Sequence, residues 1–345
     1  MESITRQHAT SIFDVAVVGA GPLGLAAAHR LSRRGLTLCL LEADGVGNTV
    51  RRYPEGLVLL SPAENLALEG RQLPGKARAD SVRREELLEY LETFAQSLSV
   101  DLRSHCHVTR IVSRDDHHEL ACETPAPCTV RARFVVIAIG SFARPHWIGV
   151  PGEDGVRVHH SYAPGQNLRG KRCLVVGGRN SALTTVASLL DAGANATLVH
   201  RKPDLARAWA HLREPVLRAA ARGEIRLLLE SRVARFGEAE ARVVSVVGGE
   251  SCEVPFDAAF VMTGFDPDLD LFARSGIVLD ERTGGPLLDP STQESSIAGV
   301  FVAGPASAGK QDDVQIYIHT SLPHLARIEE AIVSRCATRR ERSYV

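Results

Sequence analysis

The sequence predicts an α/β protein of two doubly wound domains, the second inserted into a discontinuous first, and three observations carry that expectation. A glycine-rich turn, Gly19-Ala20-Gly21-Pro22-Leu23-Gly24, follows a short apolar run near the start of the chain. A second turn, Gly177-Gly178-Arg179-Asn180-Ser181-Ala182, follows another apolar run in the middle. Apolar runs ending in glycine recur at residues 134–140, 259–264 and 299–304, places where a chain can leave a parallel sheet. At 345 residues the length allows about two domains of roughly 100–200 residues each.

Residues 12–18, Ile-Phe-Asp-Val-Ala-Val-Val, read as a buried parallel strand. In the turn that follows, Gly19 permits the sharp reversal and Gly21 lets backbone N–H groups approach a pyrophosphate. Gly24 lets helix and strand pack closely, and Pro22 and Leu23 between them belong to the same cofactor-binding turn. Residues 25–31 continue as helix, and residues 36–41 form a second strand ending in Glu42. That acid lies about 20 residues beyond the turn, where a carboxylate accepts hydrogen bonds from ribose hydroxyls. The loop over residues 51–65, with Ser61, is placed over the bound cofactor. Residues 83–98 carry the apolar spacing of a core helix. A strand beginning at Val108 is placed beside the adenine end of the site, and Gly140 closes the apolar strand that starts at residue 134.

Residues 171–176 and 196–199 are strands around a helix at residues 181–190, which makes a second βαβ unit. Its second strand ends in His200-Arg201-Lys202, with Arg207 following, rather than in an acid. Bases at this position favour a ribose 2′-phosphate, whereas the alternative reading of the cluster is a solvated surface. The acid-ended unit therefore suits FAD and the base-ended unit NADPH. Gly177, Gly178, Asn180 and Ser181 belong to the second site. Arg179 stands where a glycine is expected, either as a phosphate contact or as a surface residue outside the true alignment.

The linkers fall near residues 141–150 and 262–268. The expected division is an FAD domain from residues 1–145 and 266–345, and an NADPH domain from residues 146–265. Composition narrows the function classes. Net charge is −1, which gives no general attraction to nucleic acid or anionic membrane. The hydrophobic fraction is 44% and the charged fraction 23%, as in ordinary globular domains. No apolar run approaches the roughly 18 residues of a membrane span, and the first residues lack a signal peptide's apolar core, so a cytoplasmic protein is expected. The seven cysteines (39, 106, 122, 128, 173, 252 and 336) form no Cys-x-x-Cys. No metal site is expected from their spacing, and each reads as a buried reduced thiol.

The order of FAD turn, strand and glycine, NADPH turn, second strand and glycine, then Ala298-Gly299-Val300-Phe301-Val302-Ala303-Gly304 resembles the thioredoxin-reductase-like FAD/NAD(P)-binding pyridine nucleotide oxidoreductases over essentially the whole chain. The chain is most similar there to bacillithiol-disulfide reductases, which share Gly-Gly-basic-Asn-Ser-Ala at the second turn. Leu60-Ser61-Pro62 followed by Arg83-Arg84-Glu85-Glu86-Leu87 is similar to flavin-containing monooxygenases. Departures accompany the likeness. The thioredoxin reductases' dithiol is missing, and Leu23 stands where bacillithiol-type enzymes carry a cysteine. Gly304 is followed by Pro305 where relatives have an aspartate, with Asp312 or Asp313 as substitutes.

The resemblance implies a flavoprotein that passes hydride from NADPH to FAD. Without a dithiol, the expected next step runs directly to a small-molecule acceptor. It also implies that the start of the C-terminal helix, with Gln315, Tyr317 and His319, lies near the flavin. His319 is read there as a proton donor, with a packed core histidine as the alternative. Monooxygenation with O₂ is the rival enzyme class, and a non-catalytic nucleotide sensor is the rival outside catalysis. A homodimer is the expected assembly by resemblance.

Overall fold

The structure, a computed structural model, describes residues 12–53, 55–123, 126–162, 167–309 and 318–342. The chain divides into two compact units, Met1–Arg144 with Asp266–Val345, and Pro145–Phe265.

The first unit opens with strand β1 (Ile12–Val18), helix α1 (Pro22–Ser32) and strand β2 (Leu38–Leu41). Helix α2 (Arg84–Gln96) and strand β3 (Asp101–Arg103) follow, then an antiparallel meander of β4 (His107–Ser113), β5 (His118–Glu123) and β6 (Cys128–Ile137). The second unit begins its sheet with β7 (Val158–His159) and β8 (Arg172–Val176), continues through α3 (Asn180–Asp191) and β9 (Asn195–Val199), and adds α4 (Ala210–Ala221) and β10 (Arg226–Leu228). Strands β11 (Ser231–Phe236), β12 (Glu240–Ser245) and β13 (Ser251–Pro255) make a separate three-stranded sheet before β14 (Ala258–Val261) returns to the main one. Back in the first unit come α5 (Asp270–Ser275), β15 (Val300–Val302) and the 25-residue helix α6 (Ile318–Arg342).

The first unit's sheet runs β3-β2-β1-β6-β5-β4, with β15 also on β6. Strand β6 explains this branching. Its Cys128–Ala132 end pairs antiparallel with β5, and its Val135–Ile137 end pairs parallel with β15, while β1 occupies the other edge from Arg131 to Ile137. The sequence Cys-Thr-Val-Arg-Ala-Arg-Phe-Val-Val-Ile records the change. Its first part alternates between exposed and buried positions, as in a one-sided antiparallel sheet, and its last four residues are all buried, as in a parallel sheet covered on both faces. Phe134 and Val136 join one core with α1, α2, Phe301 and the α6 residues Leu325, Ile328 and Ile332. Val135 and Ile137 join the other, with the meander residues Val108, Leu120 and Val130 and with Phe272 of α5.

The second unit's main sheet runs β10-β9-β8-β14-β7, all parallel. Helices α3 and α4 cover Cys173 and Val175 on one face, and Val233, Val243 and Val254 of the three-stranded sheet cover Leu174 and Val176 on the other. Both units are thus α/β with parallel βαβ cores. Among the described residues no helix is long and apolar enough to cross a membrane. One expectation is corrected: Cys39, Cys106, Cys122 and Cys173 are buried, but Cys128 and Cys252 are exposed and Cys336 is intermediate. Cys128 and Cys252 are exposed although each is in phase with a buried neighbour, Val130 and Val254, because each lies at or next to the start of its strand, and spacing alone does not show this.

Candidate functional site

The first turn is shaped by close backbone approaches. Gly19 has φ +102°, and a Cβ there would stand 2.6 Å from the Ala138 carbonyl oxygen. A Cβ on Gly24 would stand 1.7 Å from the Gly19 carbonyl oxygen, so α1 crosses the turn too closely for any side chain. Gly21 differs: its φ of −78° is ordinary, and a Cβ would meet nothing within 4 Å. The space beyond it is open. Pro22 occupies the first helical position, where its fixed φ is suitable and its missing N–H costs nothing. No side chain caps α1, which leaves its first amides to an outside acceptor such as a pyrophosphate.

Glu42 is buried beside the turn. One carboxylate oxygen accepts the Ala20 N–H at 2.7 Å and the other accepts the Asp44 N–H at 3.1 Å. Burial pushes its pKa up, against the lowering effect of these two donors. Each oxygen keeps a second lone pair for a ribose hydroxyl. Glu42 is held by its own backbone too, its N–H donating to Arg103 O and its carbonyl accepting from Cys106 N–H. Gly304 (φ +81°) lies on Leu23, whose Cγ would be 3.3 Å from an added Cβ, so the first turn and the turn after β15 meet. Pro305 is half-buried and opens a single turn, Pro305–Ala308. Gly140 (φ +72°) faces open space next to Ala138, while Ser61 is half-buried in its loop. The side chain of Val108 is buried in the meander core, because the strand alternation turns it inward, which leaves its backbone to meet a cofactor.

The second turn has the same logic with different ends. Gly177 (φ +147°) leaves 2.5 Å between an added Cβ and Met262 O. At Gly178 a Cβ would fall 2.2 Å from Nδ1 of His200, so the imidazole occupies the space a side chain would need. Burial, then the neighbouring Arg201 charge, holds His200 below the ordinary imidazole pKa, so Arg201 and Lys202, both exposed, carry the positive charge of this cluster near neutrality. Arg179 is the N-cap residue of α3, extended at φ −109°, and its side chain does not cap the helix. Asn180 is buried, and its Oδ1 accepts the Trp209 N–H at 2.9 Å, a structural bond that ties α3 to the start of α4. Ser181 is exposed.

His319 is exposed at the second position of α6. Gln315 and Tyr317, like Asp312 and Asp313, lie outside the described residues. Sequence reasoning missed an aromatic pair in the first unit: Tyr53 and Phe142 meet edge to face with centroids 6.0 Å apart. Phe142 is 42% exposed, and burial pushes the Tyr53 hydroxyl up to about 12. It missed Glu153 as well, buried in the second unit and accepting the Ile148 and Gly149 N–H groups at 2.9 and 2.8 Å. Only a local turn pattern, four to five residues long, signals the second.

The family model described as pyridine nucleotide-disulphide oxidoreductase matches residues 16–304. The chain is 28% identical over 320 residues to bacilliredoxin reductase of Bacillus subtilis, covering 92% of this chain and 97% of that one. It is 29% identical over 292 residues to a ferredoxin–NADP reductase of Ignicoccus hospitalis, covering 84% and 89%. Bacillithiol disulfide reductase from Bacillus cereus superposes with a TM-score of 0.87 at 24% identity, covering 94% of this chain and all of that one. A flavin-containing monooxygenase from Stenotrophomonas maltophilia gives 0.74 at 21% identity, covering 95% and 100%. These two structural likenesses speak for the fold.

Proposed function

Because the chain belongs to the pyridine nucleotide-disulphide oxidoreductase family, we propose that it holds FAD at the acid-ended turn and NADPH at the base-ended turn, and gives the electrons directly to a small-molecule acceptor. The protein is an FAD-dependent NAD(P)H oxidoreductase. When bound, NADPH would supply a hydride and FAD would relay its electrons to the acceptor.

The contrast between the ends of β2 and β9 carries the assignment. Glu42 is buried, anchored by two amides and ready to accept from a ribose, and its charge repels a 2′-phosphate. Arg201 and Lys202 are exposed beside the second turn and attract one. The open space at Gly21 and the uncapped amides of α1 suit the FAD pyrophosphate, and Arg179, at the head of α3, is our candidate for contacting the NADPH phosphates. His319 is the candidate proton donor.

The acceptor class follows from chemistry and from what the relatives are named for. A small disulfide takes one hydride and one proton to give two thiols, and the chain has no Cys-x-x-Cys to act between flavin and disulfide. The test is spectroscopic. Isolated protein should be yellow, anaerobic NADPH should bleach it faster than NADH, and a low-molecular-weight disulfide should restore the colour. Protein that is colourless and takes up no added FAD would overturn the reading. Bleached protein indifferent to disulfides would remove the acceptor class, and oxygenated product formed with O₂ would replace the reductase by a monooxygenase.

A further inference from the structure

The meander brings together three thiols that no spacing in the sequence groups. Cys122 of β5 stands directly across from Cys128 at the start of β6. Cys106 immediately precedes β4, in which Val108 stands opposite Cys122 on the other side. The three sulfur atoms all lie within 4.8 Å of one another. Cys106 and Cys122 are buried, at 5% and 2% exposure, and Cys128 is exposed. The cluster is therefore closed toward the core and open to solvent at one member. Among the described residues no histidine or carboxylate ligand atom joins it.

We propose that Cys106, Cys122 and Cys128 form a three-thiolate site for one thiophilic cation of the copper(I) or zinc(II) class, entered from the side of Cys128. Packing accounts for two buried thiols in an apolar core, but not for a third, solvent-facing one converging on them. The dimensions agree. With metal–sulfur bonds of about 2.3 Å, three sulfurs on one ion stand roughly 3.8–4.0 Å apart, inside the observed limit, so rotamer adjustments alone bring them onto the ion. Soft sulfur donors select copper(I) and zinc(II) over hard cations. Copper(I) is satisfied by three sulfurs, whereas zinc(II) would complete its tetrahedron with water.

The guanidinium of Arg103 acts on Cys106 and Cys128, and it offsets the negative charge that three thiolates place around a cation. Because the ion binds thiolates, loading expels protons from the thiols.

The test uses the whole flavoprotein, reduced with a phosphine and stripped of metal. Zinc(II) and copper(I) are titrated in separate arms against competing chelators, and cobalt(II) is added as a probe whose d–d bands lie to the red of the flavin. One ion per chain is expected in at least one arm, with proton release and thiolate-type cobalt bands. Cys128→Ser, at an exposed position that leaves the core intact, should abolish retention, as should Cys122→Ser. Cys252→Ser, which removes the other exposed thiol, should retain the wild-type stoichiometry. Flavin content and far-UV dichroism show that each variant is folded. No ion retained against chelator in any arm overturns the proposal, and so does undiminished binding by folded Cys128→Ser. A wild-type chain that binds no metal and becomes two hydrogens lighter in air would assign the cluster to a disulfide instead.

Discussion

Replacing Gly21 by alanine separates cofactor binding from folding at a turn where the two usually fail together. The residue has φ −78° and ψ −176°, which alanine adopts without strain, and the added Cβ would meet no protein atom within 4 Å. A glycine-to-alanine change at a compatible conformation gains about 0.4–1 kcal/mol by narrowing the unfolded ensemble. Alanine is the poorer N-cap, by about 1 kcal/mol or less, so the apo-protein should stay within about 1 kcal/mol of wild type. The methyl group instead fills the space where a pyrophosphate must come against the backbone. Overpacking of this kind costs about 1–3 kcal/mol, or roughly a 5- to 150-fold loss of FAD affinity. Gly24→Ala makes the contrast: its Cβ would lie 1.7 Å from a backbone carbonyl oxygen, so helix and strand must separate and the fold itself suffers. Urea unfolding of the apo-proteins measures the first quantity, and quenching of flavin fluorescence measures the second. FAD binding at wild-type affinity by Gly21→Ala would refute the reasoning, as would apo-protein as unstable as Gly24→Ala.

Other outcomes follow from the second unit and from the histidines. The double variant Arg201→Ala with Lys202→Ala should lose about tenfold or more in kcat/KM for NADPH while changing little with NADH, and because both side chains are exposed the difference should shrink as salt is raised. Equal losses with both nucleotides would contradict the 2′-phosphate assignment. Asn180→Ala deprives the Trp209 N–H of its acceptor and should lower stability by about 1–3 kcal/mol, read as a fall in the urea midpoint. Burial holds His29, His118, His160, His200 and His324 below the ordinary imidazole value. The unfolded chain then binds more protons than the native one, so stability should be full above about pH 7 and fall as pH drops through about 6.5 and below. A urea midpoint that stays flat from about pH 7.5 to 5.5 would count against it.

The sequence is most informative where structure is local. Strand β1, its turn, α1 and β2 are legible because their signals follow one another along a single short stretch of chain, and the change within β6 from alternating to continuous burial is written in its residues. Glu42 and the basic end of β9 are visible for the same reason, as residues that terminate strands. What spacing does not show is whatever two strands create together. Tyr53 meets Phe142, Leu23 meets Gly304, and Cys106 joins Cys122 and Cys128 only because hairpin registers and a parallel crossover put them there. The burial of Val108 similarly follows from strand phase, which a single apolar residue does not fix.

Strand β6 has a consequence for how the molecule is made. Its Val135–Ile137 segment finds a partner on one edge in β1, but on the other in Val300–Val302, more than a hundred residues later on the ribosome's schedule. Until that late stretch emerges, the nascent host sheet exposes a bare, apolar edge next to the nucleotide turn, while the intervening 145–265 segment already holds everything it needs to collapse by itself. Synthesis should therefore complete the guest before the host, and a polypeptide halted short of residue 300 should be sticky, empty and a natural client for chaperones.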